Sequence, residues 1–155
     1  MTLETIFSVA GAIAAVGWLL LILLPKLHSA QITAGVVIPL LLAALYLFLI
    51  VQNFSGAPGG FGSLADVSLL FSKQELLLAG WIHYLAFDLF IGSWEVRDSQ
   101  RHQIPHLVMI PCLVMTFMLG PIGLLFYFAI RTAKRLNAGR VASAGIPAET
   151  LPIDD

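Results

Sequence analysis

The sequence predicts an all-α integral membrane protein, a bundle of four transmembrane helices. Hydrophobic residues make up 59% of the 155 residues and charged residues only 11%, whereas about a quarter of the residues of a soluble domain are charged. Four apolar stretches also approach the length of about 20 residues that a helix needs to cross a bilayer. Helices are expected because they satisfy their own backbone hydrogen bonds in lipid.

The four predicted spans differ in their charged residues and prolines. The first follows Glu4 with no lysine or arginine before it and exceeds the apolar core of a signal peptide, about 7–15 residues, so we expect a retained helix. The second has no charged residue, and the third carries His83 and Asp88. The fourth contains Pro111 and Pro121, and proline inside a helix removes a hydrogen bond and kinks it. The spans cover residues 5–24, 32–51, 76–94 and 107–130.

Residues 1–136 are expected to form one four-helix transmembrane domain. The linker 53–72 contains the glycine-rich run 56–62, which is typical of turns. Its apolar part, 64–71, is expected to form a short helix within the loop, with an interfacial helix or a lid over a lateral opening as alternatives. Residues 137–155 have no hydrophobic period and several helix breakers, so we expect a disordered tail.

Charge and motifs exclude several classes of protein. The net charge of −1 gives no basic field for nucleic acid, and the single Cys112 excludes an internal disulfide. The sequence has no P-loop, no dinucleotide-binding glycine motif and no nucleophile elbow, so it specifies no cofactor and leaves open whether the protein is an enzyme.

Basic residues predict the orientation. Four spans would place both termini on one face of the membrane, and that face would hold more lysine and arginine than the other. Because these residues favour the cytoplasmic side, we expect cytoplasmic termini. The two sets are Lys73, Arg131, Lys134, Arg135 and Arg140 against Lys26, Arg97 and Arg101.

The third span holds the strongest functional signal. An aspartate at the bilayer centre costs on the order of 3 kcal/mol, so keeping both His83 and Asp88 there favours a function. Five residues apart on a helix, the two side chains point about 140° apart and cannot form a same-face pair. Either both flank one wide cleft or they face two different helices. A hydrogen bond that fixes the bundle is the structural alternative to acid–base chemistry.

A second polar cluster follows this span. Asp98, His102 and His106 are spaced four residues apart, and on an unbroken helix they would suit zinc or iron. Pro105 interrupts the run, so a solvated loop is the competing interpretation. His106 is expected to lie partly buried near Glu95 or Asp98.

The third and fourth spans also carry a characteristic set of residues. The set is Trp81-x-His83-x-x-x-x-Asp88-Leu89-Phe90, Asp98, Ile104-Pro105-His106, Pro111-Cys112-Leu113 and Gly120-Pro121-x-Gly123-Leu124. This pattern resembles the abscisic-acid-deficient-four-like family, whose plant members are tied to neoxanthin synthesis in plastids. The resemblance implies a membrane protein near carotenoid metabolism and the isomerisation of an epoxy-carotenoid to an allenic one. Because nothing here resembles a plastid transit peptide, we expect a bacterial inner-membrane protein with another carotenoid or isoprenoid as its substrate.

These observations together predict an intramembrane site for an apolar polyene or isoprenoid ligand. In an acid–base isomerase, Asp88 would donate the proton and His83 would be the base, with Glu95, Asp98 and His106 as rim or ion-binding partners. A non-catalytic pigment- or lipid-binding or assembly module is the alternative, and a proton path is a third. Membrane lipid and a second copy of the chain are expected partners. The aromatic residues expected to line the slot are Trp81, Tyr84, Phe87, Phe90 and Trp94.

Overall fold

The computed structural model describes residues 2–144, and within them the chain is helical and contains no strand. The expectation of an all-α protein is therefore confirmed. The helices are α1 (Leu3–Leu23), α2 (His28–Asn53, with a π-helical turn at Thr33–Val37), α3 (Leu64–Phe71), α4 (Gln74–Arg101), α5 (His106–Leu119) and α6 (Pro121–Ala144).

Helices α1, α2 and α4 are the long apolar helices of an integral membrane protein. They contain 21, 26 and 28 residues, and at about 1.5 Å per residue each is long enough for a hydrocarbon core of about 30 Å. They contain the predicted spans 5–24, 32–51 and 76–94, except that Leu24 lies just beyond the end of α1. Three of the four predicted spans are thus present as single helices.

The predicted fourth span is wrong as a single helix. The chain turns at Gly120, whose φ of 51° and ψ of −104° end α5, and Pro121 begins α6, a position that suits proline because the first helical turn needs no N–H donor. Gly123 lies directly against Thr116, so the two helices approach closely beside the turn. Residues 107–130 therefore form a helical hairpin, while Pro111 stays inside α5.

The hairpin packs along the carboxyl-terminal half of α4. Thr116 on α5 contacts Glu95, and Tyr127 on α6 contacts Asp98. With 14 residues, α5 is about 21 Å long, too short to cross a bilayer. α5 runs from the Arg101 end of α4 to its middle, and α6 runs back. The open end of the hairpin therefore lies at the Arg101 end of α4.

The two described ends of the chain lie at opposite ends of α4. Leu3 on α1 shares a pocket with Gln74 at the start of α4, whereas Lys134 on α6 contacts Gln103, just after α4 ends. The expectation that both termini share one face assumed four crossings, and the hairpin removes that premise. α6 continues to Ala144, so the predicted tail boundary at 137 falls inside a helix, and residues 145–155 lie outside the described residues.

Close packing makes α4 the centre of the bundle. A Cβ at Gly92 would meet the Trp18 ring of α1, and one at Gly35 of α2 would meet Ser93. Small residues at such crossings let helix backbones approach in lipid.

The helix α3 is capped by Ser63, whose Oγ accepts a hydrogen bond from the backbone N–H of Asp66 at 3.1 Å. The expected short helix over 64–71 is confirmed.

Candidate functional site

Asp88 lies against the tip of the hairpin. A Cβ at Gly120 would be 3.2 Å from Asp88 Oδ1 and 3.3 Å from Oδ2. Oδ2 is buried and has no hydrogen-bond partner among the described residues. One turn earlier, the Tyr84 hydroxyl lies beside this carboxyl and donates a hydrogen bond to the Phe117 carbonyl at 3.0 Å. The seam between α4 and the hairpin tip thus holds a carboxyl oxygen without a protein partner.

This carboxyl lies near the middle of α4, a helix that is long and apolar enough to cross a membrane. Asp88 is close to the middle of the helix, so about 20 Å of helix separates it from either end. The residue is half-buried, so part of its side chain is exposed at the surface of the helices. Asp88 is therefore far from both ends of α4 and partly exposed.

Glu95, two turns further along the same face, is completely buried. The Thr116 hydroxyl lies 3.1 Å and 3.0 Å from its two carboxylate oxygens, and no cation pairs with Glu95 among the described residues. Asp88 and Glu95 both face the hairpin, because seven residues are close to two helical turns and keep both side chains on one face of α4. Glu95 thus ties the last turn of α5 to α4.

Asp98 forms an ion cluster at the open end of the hairpin, near Arg101. The Tyr127 hydroxyl donates a hydrogen bond to Asp98 Oδ2, and Arg131 Nε is 3.2 Å from the same oxygen. His102 Nε2 is 3.7 Å from Oδ1. Both Glu95 and Asp98 are buried in the interface between α4 and the hairpin, not in a solvated rim.

His83 belongs to a different face of α4. Its ring stacks on Phe87 with centroids 4.4 Å apart and lies 5.7 Å from the Tyr46 ring of α2. It lines a groove that Asp88 does not line. The structure does not bring His83 and Asp88 together, so the second sequence alternative holds, in which each faces a different helix.

The predicted aromatic slot is not assembled. Trp81 packs on Phe7 of α1 at 5.6 Å, and Trp94 meets Tyr127 edge-on at 5.6 Å. Phe87 and Phe90 are exposed on the outer surface. Of the expected lining residues, Tyr84 lies at the Asp88 carboxyl, and Trp81 stacks on Tyr84 with ring centroids 5.3 Å apart. The aromatic residues therefore serve several faces of α4 and not one cavity.

The predicted metal or rim set is not assembled either. His106 Nε2 lies 2.9 Å from the Ile22 carbonyl of α1, and that contact anchors the start of α5. Over residues 2–144, the structure places no group of three or more histidine, cysteine, aspartate or glutamate side chains where they could hold a metal ion. His106 thus has a structural partner separate from Glu95 and Asp98.

Sequence reasoning missed the hairpin's side of the site. Thr116, Tyr127 and Arg131 contact the carboxyl groups of α4, and none was singled out. The available signal was Gly120-Pro121, a dipeptide typical of turns. A turn there folds α6 back and brings Tyr127 and Arg131 to Asp98.

Fold and site together define an integral membrane protein with an apolar hairpin packed on a row of carboxyl groups. More specifically, the chain belongs to the ABA DEFICIENT 4-like family, whose model matches residues 5–127. The match covers α1 to α5 and reaches Tyr127, so it includes every residue at the Asp88 seam. The resemblance drawn from the third and fourth spans is thereby confirmed. No curated protein and no solved structure matches the chain significantly.

Proposed function

We propose that the protein is an intramembrane acid–base isomerase of a carotenoid or other isoprenoid lipid, and that Asp88 is its acid–base group. The observation that carries the proposal is the buried Asp88 Oδ2, which lacks a protein partner at the hairpin tip. Unpaired polar groups at bilayer depth are costly and mark functional sites. Family membership supplies the link to carotenoids.

The reaction that this carboxyl can catalyse is the conversion of an epoxide into an allenic alcohol. Protonated Asp88 donates its proton to the epoxide oxygen, and the carbon–oxygen bond breaks with its electron pair going to oxygen. The resulting positive charge spreads over the polyene. The Asp88 carboxylate then takes a proton from the adjacent polyene carbon, and that carbon–hydrogen pair becomes the new double bond. The acid is regenerated, so no oxidant, reductant or second base is needed.

The surroundings of Asp88 suit this role. A carboxyl group removed from water and without a cation is held at lowest cost as the neutral acid, which is the form that donates. The hydroxyl of Tyr84 lies beside it, and Gly120 leaves the tip free of a side chain. Because Asp88 is only half-buried, a long apolar substrate could stay in the bilayer while its reactive end reaches the carboxyl.

The fold also supports a revised orientation in a bacterial inner membrane. The end of the bundle at Arg101 carries most of the basic residues, whereas the opposite end carries Lys73. Lysine and arginine favour the cytoplasmic side. We therefore place the first residue of α1 outside the cell and the open end of the hairpin in the cytoplasm. The basic residues at the cytoplasmic end are Lys26, Arg97, Arg101, Arg131, Lys134 and Arg135.

Co-expression with an epoxy-carotenoid pathway tests the proposal. Pigments from membranes with matched protein levels are separated by chromatography, and the wild type is expected to yield an allenic isomer of the epoxide. Asp88→Asn should lower the yield by at least about 100-fold, since general acid–base catalysis contributes about 10²–10⁴. His83→Gln, the matched change on another face, should retain most of the product. No new pigment from the wild type, or full yield from Asp88→Asn, would reject the proposal.

A further inference from the structure

A groove between α2, α3 and α4 lies away from the Asp88 seam. Its volume is about 260 Å³, and its walls are largely aromatic and aliphatic. The residues that define it are Tyr46, Ile50, Phe54, Phe61, Phe71 and His83. Three separate segments of the chain therefore meet to form one concave apolar surface.

The outer wall of this groove is held in place by specific contacts. Phe54 and Phe61 stack with their centroids 5.9 Å apart and their planes 17° apart. Lys73 Nζ donates a hydrogen bond to the Asn53 carbonyl at 2.9 Å, which joins the end of α2 to the start of α4. Gly80 allows Phe71 to close over α4, because a Cβ there would be 2.9 Å from Phe71 Cε1. These contacts fix the position of the wall.

His83 is the polar group that stands out in this groove. Its ring is exposed and is positioned by stacking on Phe87 at 4.4 Å. Among the side chains of residues 2–137, which are those that the structure describes, neither ring nitrogen has a hydrogen-bond partner. His83 lies about 14 Å along α4 from its first residue, within a helix long and apolar enough to cross a membrane, where an unsatisfied polar group is costly. An oxygen atom of a ligand would remove that cost.

We propose that the groove binds the ring end of a neutral isoprenoid lipid, and that His83 donates a hydrogen bond to a hydroxyl or carbonyl oxygen on that ring. The lining contains no charged residue, which matches an uncharged ligand. At about 260 Å³ the groove is smaller than a typical whole-ligand pocket, about 300–1,000 Å³, so it encloses one ring. Aromatic walls favour such a ring, and the tail extends through the open side into the bilayer.

This second site is independent of the proposed isomerase. Its lining does not include Asp88, and the two side chains point about 140° apart around α4. Binding in the groove is therefore expected to persist in Asp88→Asn. Failure of one proposal leaves the other standing.

Photo-cross-linking of the full chain in lipid nanodiscs tests the site. The probe is a short prenyl quinone that carries an azide on its ring, and labelled peptides are mapped by mass spectrometry. Label is expected on residues 46–83. Unlabelled prenyl quinone should compete, whereas a prenyl benzene without ring oxygens should compete about tenfold less well, the difference that one hydrogen bond of about 1.4 kcal/mol makes.

Variants separate the groove from general lipid contact. His83→Leu should weaken labelling about tenfold, and His83→Gln, which keeps an N–H donor, should restore it. Gly80→Leu should block the groove, while Gly11→Leu, a helical glycine with open space around it, should have no effect. Equal labelling in His83→Leu and the wild type, or label spread evenly over the lipid-facing surface, would overturn the proposal. If Gly80→Leu does not fold, the His83 pair alone decides the outcome.

Discussion

The turn at Gly120 decides whether the last apolar stretch is a hairpin or a single span, and Gly120→Ala tests it. The residue has a φ of 51° and a ψ of −104°, a conformation that L-residues rarely adopt. Holding a non-glycine residue in such a region costs about 1–3 kcal/mol. We therefore expect Gly120→Ala to lower the free energy of unfolding by about 2 kcal/mol before any contact is considered.

The new methyl group adds a second cost at the candidate site. A Cβ would lie 3.2 Å from Asp88 Oδ1, closer than ordinary contact between carbon and oxygen, so either the carboxyl or the tip has to move. Combining Gly120→Ala with Asp88→Ala removes the crowded oxygen atoms but leaves the backbone strain. We expect the two changes to be non-additive by about 1 kcal/mol, as is usual for residues in contact.

Thermal unfolding of the purified protein in detergent measures these effects. For a chain of this size 1 kcal/mol corresponds to about 2–4 °C in Tm, so Gly120→Ala should unfold on the order of 6 °C below the wild type. Gly11→Ala is the matched control, because that helical glycine has open space around it and alanine favours the helix by about 0.5–1 kcal/mol. A Tm for Gly120→Ala equal to that of the wild type would contradict the positive φ, and a continuous span over 107–130 would then explain the chain better.

Two further predictions concern orientation and the ion cluster. Reporter fusions should show the amino terminus outside and a fusion placed after Lys134 in the cytoplasm; the same side for both would restore the four-crossing topology. Arg131→Gln should lower the free energy of unfolding by about 3 kcal/mol, because it leaves the buried Asp98 carboxylate without its cation. Arg135→Gln, on the exposed surface near His102, should change the unfolding midpoint little, and equal effects of the two changes would argue against the ion pair.

Hydropathy predicted the three long helices because it measures the property that the bilayer selects. It could not resolve the fourth stretch, since residues 107–130 are apolar on both sides of Gly120 and contain no charge. The information lay in one backbone conformation, and the Gly120-Pro121 dipeptide was interpreted as a kink. Because of that single turn, Lys134 on α6 lies at the Arg101 end of α4 and not at its Gln74 end.

The candidate site shows the same division between local and long-range information. Helical periodicity puts Asp88 and Glu95 on one face and His83 about 140° away. Both relations depend only on α4. The partners Thr116 and Tyr127 come from two other helices, and their positions follow only once the hairpin is known. Sequence alone therefore identified the carboxyl groups but not what faces them.

The number of polar partners of the three carboxyl groups decreases from the open end of the hairpin to its tip. Asp98 has Tyr127, Arg131 and His102 around it, and Glu95 has one hydroxyl donor. Asp88 Oδ2 has none among the described residues. Since a carboxyl stabilises a fold only when its polar atoms are satisfied, the outer groups hold the hairpin on α4, while the innermost one adds cost. A protein selected for stability alone would place an apolar residue there. Under the proposed function, a ligand that enters from the bilayer would satisfy this oxygen.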